Sequence, residues 1–132
     1  MAWTFDGIMT LLESQSLWVV EAEGDCLSIS NDEGVDAFLY AGEQQIIVET
    51  PLFAKQEVTN PAELNDLILR THQLLPLTTI GIKSINGEDF YIAFGSLSAG
   101  SKDTVLIEEI ETLFLNVGEF IDLYAQFLNT EA

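Results

Sequence analysis

Positive charge is what this chain has least of. Lys55, Arg70, Lys83 and Lys102 are its four basic residues against 22 acidic ones, for a formal net charge of −18. A field of that sign repels phosphate, so direct binding to nucleic acid or to an anionic membrane is disfavoured. Cysteine is nearly missing as well. Cys26 has no second cysteine to pair with, and the strand pattern around it makes it a small core residue. The single histidine, His72, falls on the polar side of a helix beside Arg70 and Gln73, with no nucleophile–base pairing around it. No apolar run approaches the roughly 18 residues of a membrane span. No basic-then-apolar leader opens the chain, which points to a cytoplasmic protein without direct membrane insertion. The glycines are scattered through turns, and no phosphate-cradling loop precedes a helix. Asn31, Asp32, Glu33 and Asp36 cluster near Gly34 without the alternate spacing of a calcium loop, and a hairpin turn accounts for them. The residues therefore nominate no catalytic, cofactor-binding or metal site.

What is present is enough apolar material for a core. At 132 residues, with 48% hydrophobic and 20% charged, the chain suits one folded domain spanning 1–132. Its organising stretch runs from Asp103 to Asn129. Leu106, Ile110, Leu113, Val117, Phe120, Tyr124 and Phe127 alternate steps of four and three, the spacing of one helical face. Glu108, Glu109, Glu111, Glu119 and Asp122 mark the wet flank. Read as one unbroken rod, the stretch is about 35 to 40 Å long and covers a whole sheet face. Leu115 and Leu123 lie outside the main stripe, which leaves either deeper burial within the monomer or a subunit interface.

Ahead of it, a short helix begins near Asp6, with Trp3 and Phe5 stapling its start. From Leu17 to Thr50 the period changes to two, with turns at 23–25, 31–34 and 41–43, the pattern of a four-stranded meander. Asn60, Pro61 and Glu63 give a second helix its cap, its first position and its dipole partner. That helix ends at Leu75-Pro76. Thr79 to Ile85 and Asp89 to Phe94 flank Asn86-Gly87, the signature of a tight hairpin. The fold class is α+β: helix, four strands, helix, two-stranded hairpin and helix, with the last helix over an antiparallel sheet.

If Val35, Ala37, Leu39, Ile46, Val48, Phe90, Ile92 and Phe94 face the helices, the alternate residues face away. Those are Phe38, Tyr40, Ile47 and Tyr91, interleaved with Asp36, Glu49 and Asp89. Such a surface suits a basic or amphipathic segment of another protein, with aromatics anchoring and acids steering. It equally suits a second copy of the chain, or cover by the monomer's own loops.

Two segments carry a resemblance: Ile85-Asn86-Gly87-Glu88-Asp89-Phe90-Tyr91-Ile92-Ala93-Phe94-Gly95-Ser96-Leu97-Ser98, and Glu108-Glu109-Ile110-Glu111-Thr112-Leu113 on to Asn116. With Leu75-Pro76 they resemble the YjfI-like bacterial family of unknown function over essentially the whole chain. The family brings no established catalytic residues. Its gene setting is similar to that of partners of phage-shock-protein-A-like membrane-stress proteins, which implies a role beside a coiled-coil membrane-associated protein. The element order also resembles the small acidic chaperones of type III secretion, homodimers that hold an extended client chain, with either one additional strand here at Gln44 to Thr50 or a longer third strand bent at Gly42. The expectation is a non-enzymatic, cytoplasmic, dimeric protein-binding module without a cofactor. The alternatives are a regulatory partner of a membrane-stress protein, using Leu115 and Leu123, and an uncharacterised enzyme.

Overall fold

The computed structural model describes residues 2–74 and 77–128. Its elements follow the order α1 (Phe5–Ser14), β1 (Val19–Glu23), β2 (Cys26–Ser30), β3 (Asp36–Ala41), β4 (Gln45–Ala54), α2 (Pro61–Thr71), β5 (Thr79–Ile85), β6 (Glu88–Ser98) and α3 (Asp103–Leu123). All neighbouring strands are antiparallel, in the order β1-β2-β3-β4-β6-β5. Leu75 and Pro76, where the sequence places the end of α2, lie outside the described residues, as does Asn129.

Local chemistry explains where the elements start and turn. Thr4 caps α1 by accepting the Gly7 amide, and Trp3 ties that end down by donating its indole N–H to Ser101 O at 2.6 Å. Asn60 caps α2 through the Glu63 amide at 3.2 Å, with Pro61 in the first turn. Asn31 Oδ1 accepts the amides of Glu33 and Val35, so the acidic cluster around it is a turn. Asn86 and Gly87 hold φ of 52° and 81°, the left-handed pair that a two-residue hairpin needs. Lys102 sits at the N-cap of α3 without a side-chain capping hydrogen bond among the described residues.

One cluster joins Ile8, Leu12, Leu64, Ile68, Leu106, Ile110, Leu113 and Phe120 from the helices to Leu27, Ile29, Leu39, Ile46 and Val48 from the strands. The three helices therefore pack on one face of the sheet, each buried large apolar side chain contributing about 1.5–3 kcal/mol.

Three expectations need correcting. The C-terminal stretch is not a single rod: α3 passes Gly118 unbroken, ends at Leu123 and gives way to a 3-10 turn, Ala125–Phe127. The turn's period of three still suits Tyr124 and Phe127, both buried, and the chain folds back so that Thr59 donates its amide to Phe127 O at 2.8 Å and Val58 bridges Leu128. Glu109 is not on the wet flank but 4% exposed, against the sheet at Gly95. On β6 the two faces are exchanged. Tyr91 is 1% exposed, packs its ring at a tilt against Phe53 and donates to Asn65 Oδ1 of α2, whereas Phe90, Ile92 and Phe94 lie on the face without helices. Close approach of α3 requires small residues beneath it, and Ala93 and Gly95 supply them on the same face as Tyr91.

Candidate binding face of the sheet

The side of the sheet away from the helices is the candidate site. Register places the residues without ambiguity: Phe38 stands opposite Glu49 and Glu49 opposite Phe94, while Tyr40 stands opposite Ile47 and Ile47 opposite Ser96. Asp36 follows on the same face and accepts from Ser30 Oγ at 2.6 Å. Asp36, Phe38, Tyr40, Ile47 and Glu49, five of the sequence-nominated residues, are thus brought together. Tyr91 is not among them, and neither is Asp89, which shares Tyr91's side of β6 and lies near the start of α2 beside Lys55 and Pro61. Leu115 and Leu123 are 69% and 41% exposed on α3, so deeper burial within the monomer does not account for them.

Lys83 of β5 is the residue that shapes this face. Strands β3 and β5 are separated by β4 and β6, about 14 Å across a flat sheet. Yet Lys83 Nζ lies 2.5 Å from Glu49 Oε2 on β4 and 5.0 Å from the centre of the Tyr40 ring on β3. The sheet must curl for this, and the curl makes a concavity of about 550 Å³ lined by Glu23, Cys26, Phe38, Tyr40, Pro51 and Lys83 among others. Sequence reading missed Lys83 because its role depends on sheet curvature, which no spacing reports.

The charges in the concavity are fixed. The Glu49 carboxylate, hydrogen-bonded to the ammonium, holds Lys83 above its ordinary 10.5, with burial working against it. Burial pushes Tyr40 above 10.0, offset in part by Lys83. Burial also pushes Cys26 above 9.0, eased by Tyr40 and reinforced by Glu23. All three keep their protons at neutral pH, and a protonated thiol is a poor nucleophile. Cys26 is a half-buried floor residue of this face rather than a core one, its Sγ 3.3 Å from Glu23 O. His72 has a structural place: its Nε2 lies 3.3 Å from both N and O of Ile80 on β5.

The fold has solved counterparts. A chain of the HopA1–SchA chaperone–effector complex superposes with a TM-score of 0.62 at 13% identity, covering 85% of this chain and 88% of that one. YbjN of E. coli, described as a putative transcription regulator, superposes at 0.70 with 14% identity and 97% of each chain covered. These likenesses show a shared fold. In sequence, the uncharacterized protein YjfI of Escherichia coli K12 is 28% identical over 131 residues, 96% of this chain and 98% of that protein. The model of a family of uncharacterized proteins conserved in bacteria, DUF2170, matches residues 4–128, and the chain belongs to that family.

Proposed function

We propose that this protein is a non-enzymatic, cytoplasmic protein-binding module, chaperone- or adaptor-like, that works as a homodimer and holds a basic or amphipathic stretch of another polypeptide. The observation that carries the reading is the curled helix-free face. Phe38, Tyr40 and Ile47 offer apolar contact there, and Glu23 and Asp36 supply negative charge. An extended or amphipathic segment anchors by its apolar side chains, and the acids fix its orientation. Glu49 is already neutralised by Lys83 and so gives the face its shape rather than its charge. The fold shared with a chain of a chaperone–effector complex supports the reading.

Calorimetry with a synthetic peptide of alternating lysine and leucine tests it. Binding weakens with added salt, weakens further in the Glu23→Lys/Asp36→Lys variant, and falls away in Phe38→Ser. A peptide that binds equally at low and high salt and to all three proteins overturns it.

A second reading rests on Leu115 and Leu123, exposed on α3 between Glu111, Glu119 and Asp122. That strip suits a partner helix of a phage-shock-protein-A-like membrane-stress protein. Changing both leucines to serine abolishes co-purification with such a protein if the reading holds; a wild type that never captures it ends the reading.

A further inference from the structure

The two edges of the sheet are built differently. β1 carries Glu21 and Glu23, both exposed, which is how edge strands discourage pairing with other chains. β5, reading Thr-Ile-Gly-Ile-Lys-Ser-Ile, carries no acid in a chain of net charge −18. Beside it runs a groove of about 250 Å³ between β5 and α2, lined by Asn65, Ile68, Leu69, Ile80, Ile82 and Tyr91. Leu69 is 74% exposed and Ile82 46% exposed. The nearby acid Asp66 is neutralised by Arg70 at 2.8 Å.

His72 marks how much of this edge is open. Its Nε2 lies within reach of both backbone groups of Ile80 and bonds one or the other according to its tautomer, so those groups point away from β6. In an antiparallel ladder the direction alternates, and the backbone groups of Ile82 and Ser84 therefore point outward too. We propose that a second copy of this chain occupies the edge, β5 pairing antiparallel with β5 about a two-fold axis, with Ile82 of one copy opposite Ser84 of the other. Ile82 then faces Ser84 and lies diagonal to its symmetry mate, with Leu69 beside the joined strands. The two Lys83 side chains meet on the helix-free face, each neutralised by its own Glu49.

Charge selects a second copy over a basic partner. A cationic segment is drawn to the acids of β1 and the open face, while the β5–α2 surface offers neutral apolar contact and edge backbone groups with no partner among the described residues, and two such surfaces satisfy each other. This deepens the homodimer part of the reading above, and joining two curled sheets would place two concavities side by side.

Sedimentation across protein concentration, at about 0.05 M and about 0.5 M salt, tests the idea. Two bodies of like charge repel, so the dimer tightens as salt rises, the reverse of peptide capture. Leu69→Glu and Ile82→Glu, at exposed positions, each weaken the dimer by roughly tenfold or more, while Leu115→Glu leaves it unchanged. A wild type monomeric throughout, or a dimer indifferent to both glutamates in variants whose circular dichroism is native, overturns the proposal. Peptide capture by the monomeric Ile82→Glu variant separates the two ideas: if capture persists, the binding face stands whatever the fate of the dimer. A wild-type dimer that captures no peptide sinks the binding face and leaves this interface intact.

Discussion

Gly95 on β6 and Glu109 on α3 share one space: a β-carbon on Gly95 would stand 2.0 Å from Glu109 Oε2 and 2.6 Å from its Cδ. The glycine is needed for what it leaves out, since it lets a carboxylate lie between helix and sheet. Gly95→Ala should therefore destabilise the fold by about 2 kcal/mol in chemical denaturation. Glu109→Ala in the same chain should return much of that loss, a coupling of roughly 1–2 kcal/mol. Additive effects of the two substitutions would show that they do not compete for the space.

Glu109 also gives the fold a pH dependence. Its Oε2 has no hydrogen-bond partner among the described residues, and burial, with Glu108 adding to it, raises its pKa above the ordinary 4.5. The folded state thus holds this proton more tightly than the unfolded chain does. The stability it confers is fully present below pH 4.5 and is lost as pH rises through the folded value. Glu109→Gln stays neutral, so the variant gains on wild type as pH climbs above 4.5 and then keeps a constant lead at higher pH. Urea midpoints that differ by the same amount at every pH would contradict this.

Lys83 and Glu49 form an unequal pair, their side chains 41% and 9% exposed. Removing the ammonium strands a buried carboxylate, and Lys83→Ala should cost about 1–3 kcal/mol, less than for a fully buried pair because the lysine is partly solvated. Lys83→Ala with Glu49→Gln should recover most of it. Since the lysine's pKa is raised, the pair's contribution holds below pH 10.5 and fades above it. Thermal melting of the four proteins measures the cycle, and a double variant no better than Lys83→Ala would deny the pairing.

Much of the fold was legible because local rules agreed with one another. Asn60, Pro61 and Glu63 named the start of α2, Asn86-Gly87 named the last hairpin, and the element order followed from the change of period. What escaped the sequence depended on the third dimension. Residues 90–95 are apolar on both sides of the strand, so alternation could not say that Tyr91, Ala93 and Gly95 face the helices. β4 runs through Pro51 because a register shift between Pro51 and Phe53 absorbs it. Glu109 fits the core only because Gly95 is opposite, and Lys83 reaches Glu49 only because the sheet curls.

The fold-back after α3 is open to a direct check. Phe127 is 8% exposed, and its carbonyl accepts both the amide and the hydroxyl of Thr59, at 2.8 and 3.2 Å. Tyr124 OH lies 3.2 Å from Thr71 Oγ1 at the other end of α2, so the tail grips that helix at both ends. Phe127→Ala should cost about 3 kcal/mol by leaving a cavity under the turn. Because it loosens the carbonyl's position, it should also speed amide hydrogen exchange at Thr59 more than at Leu106, in the first turn of α3. A straight terminal helix would hold Phe127 away from Thr59, and exchange there would then not respond to the substitution.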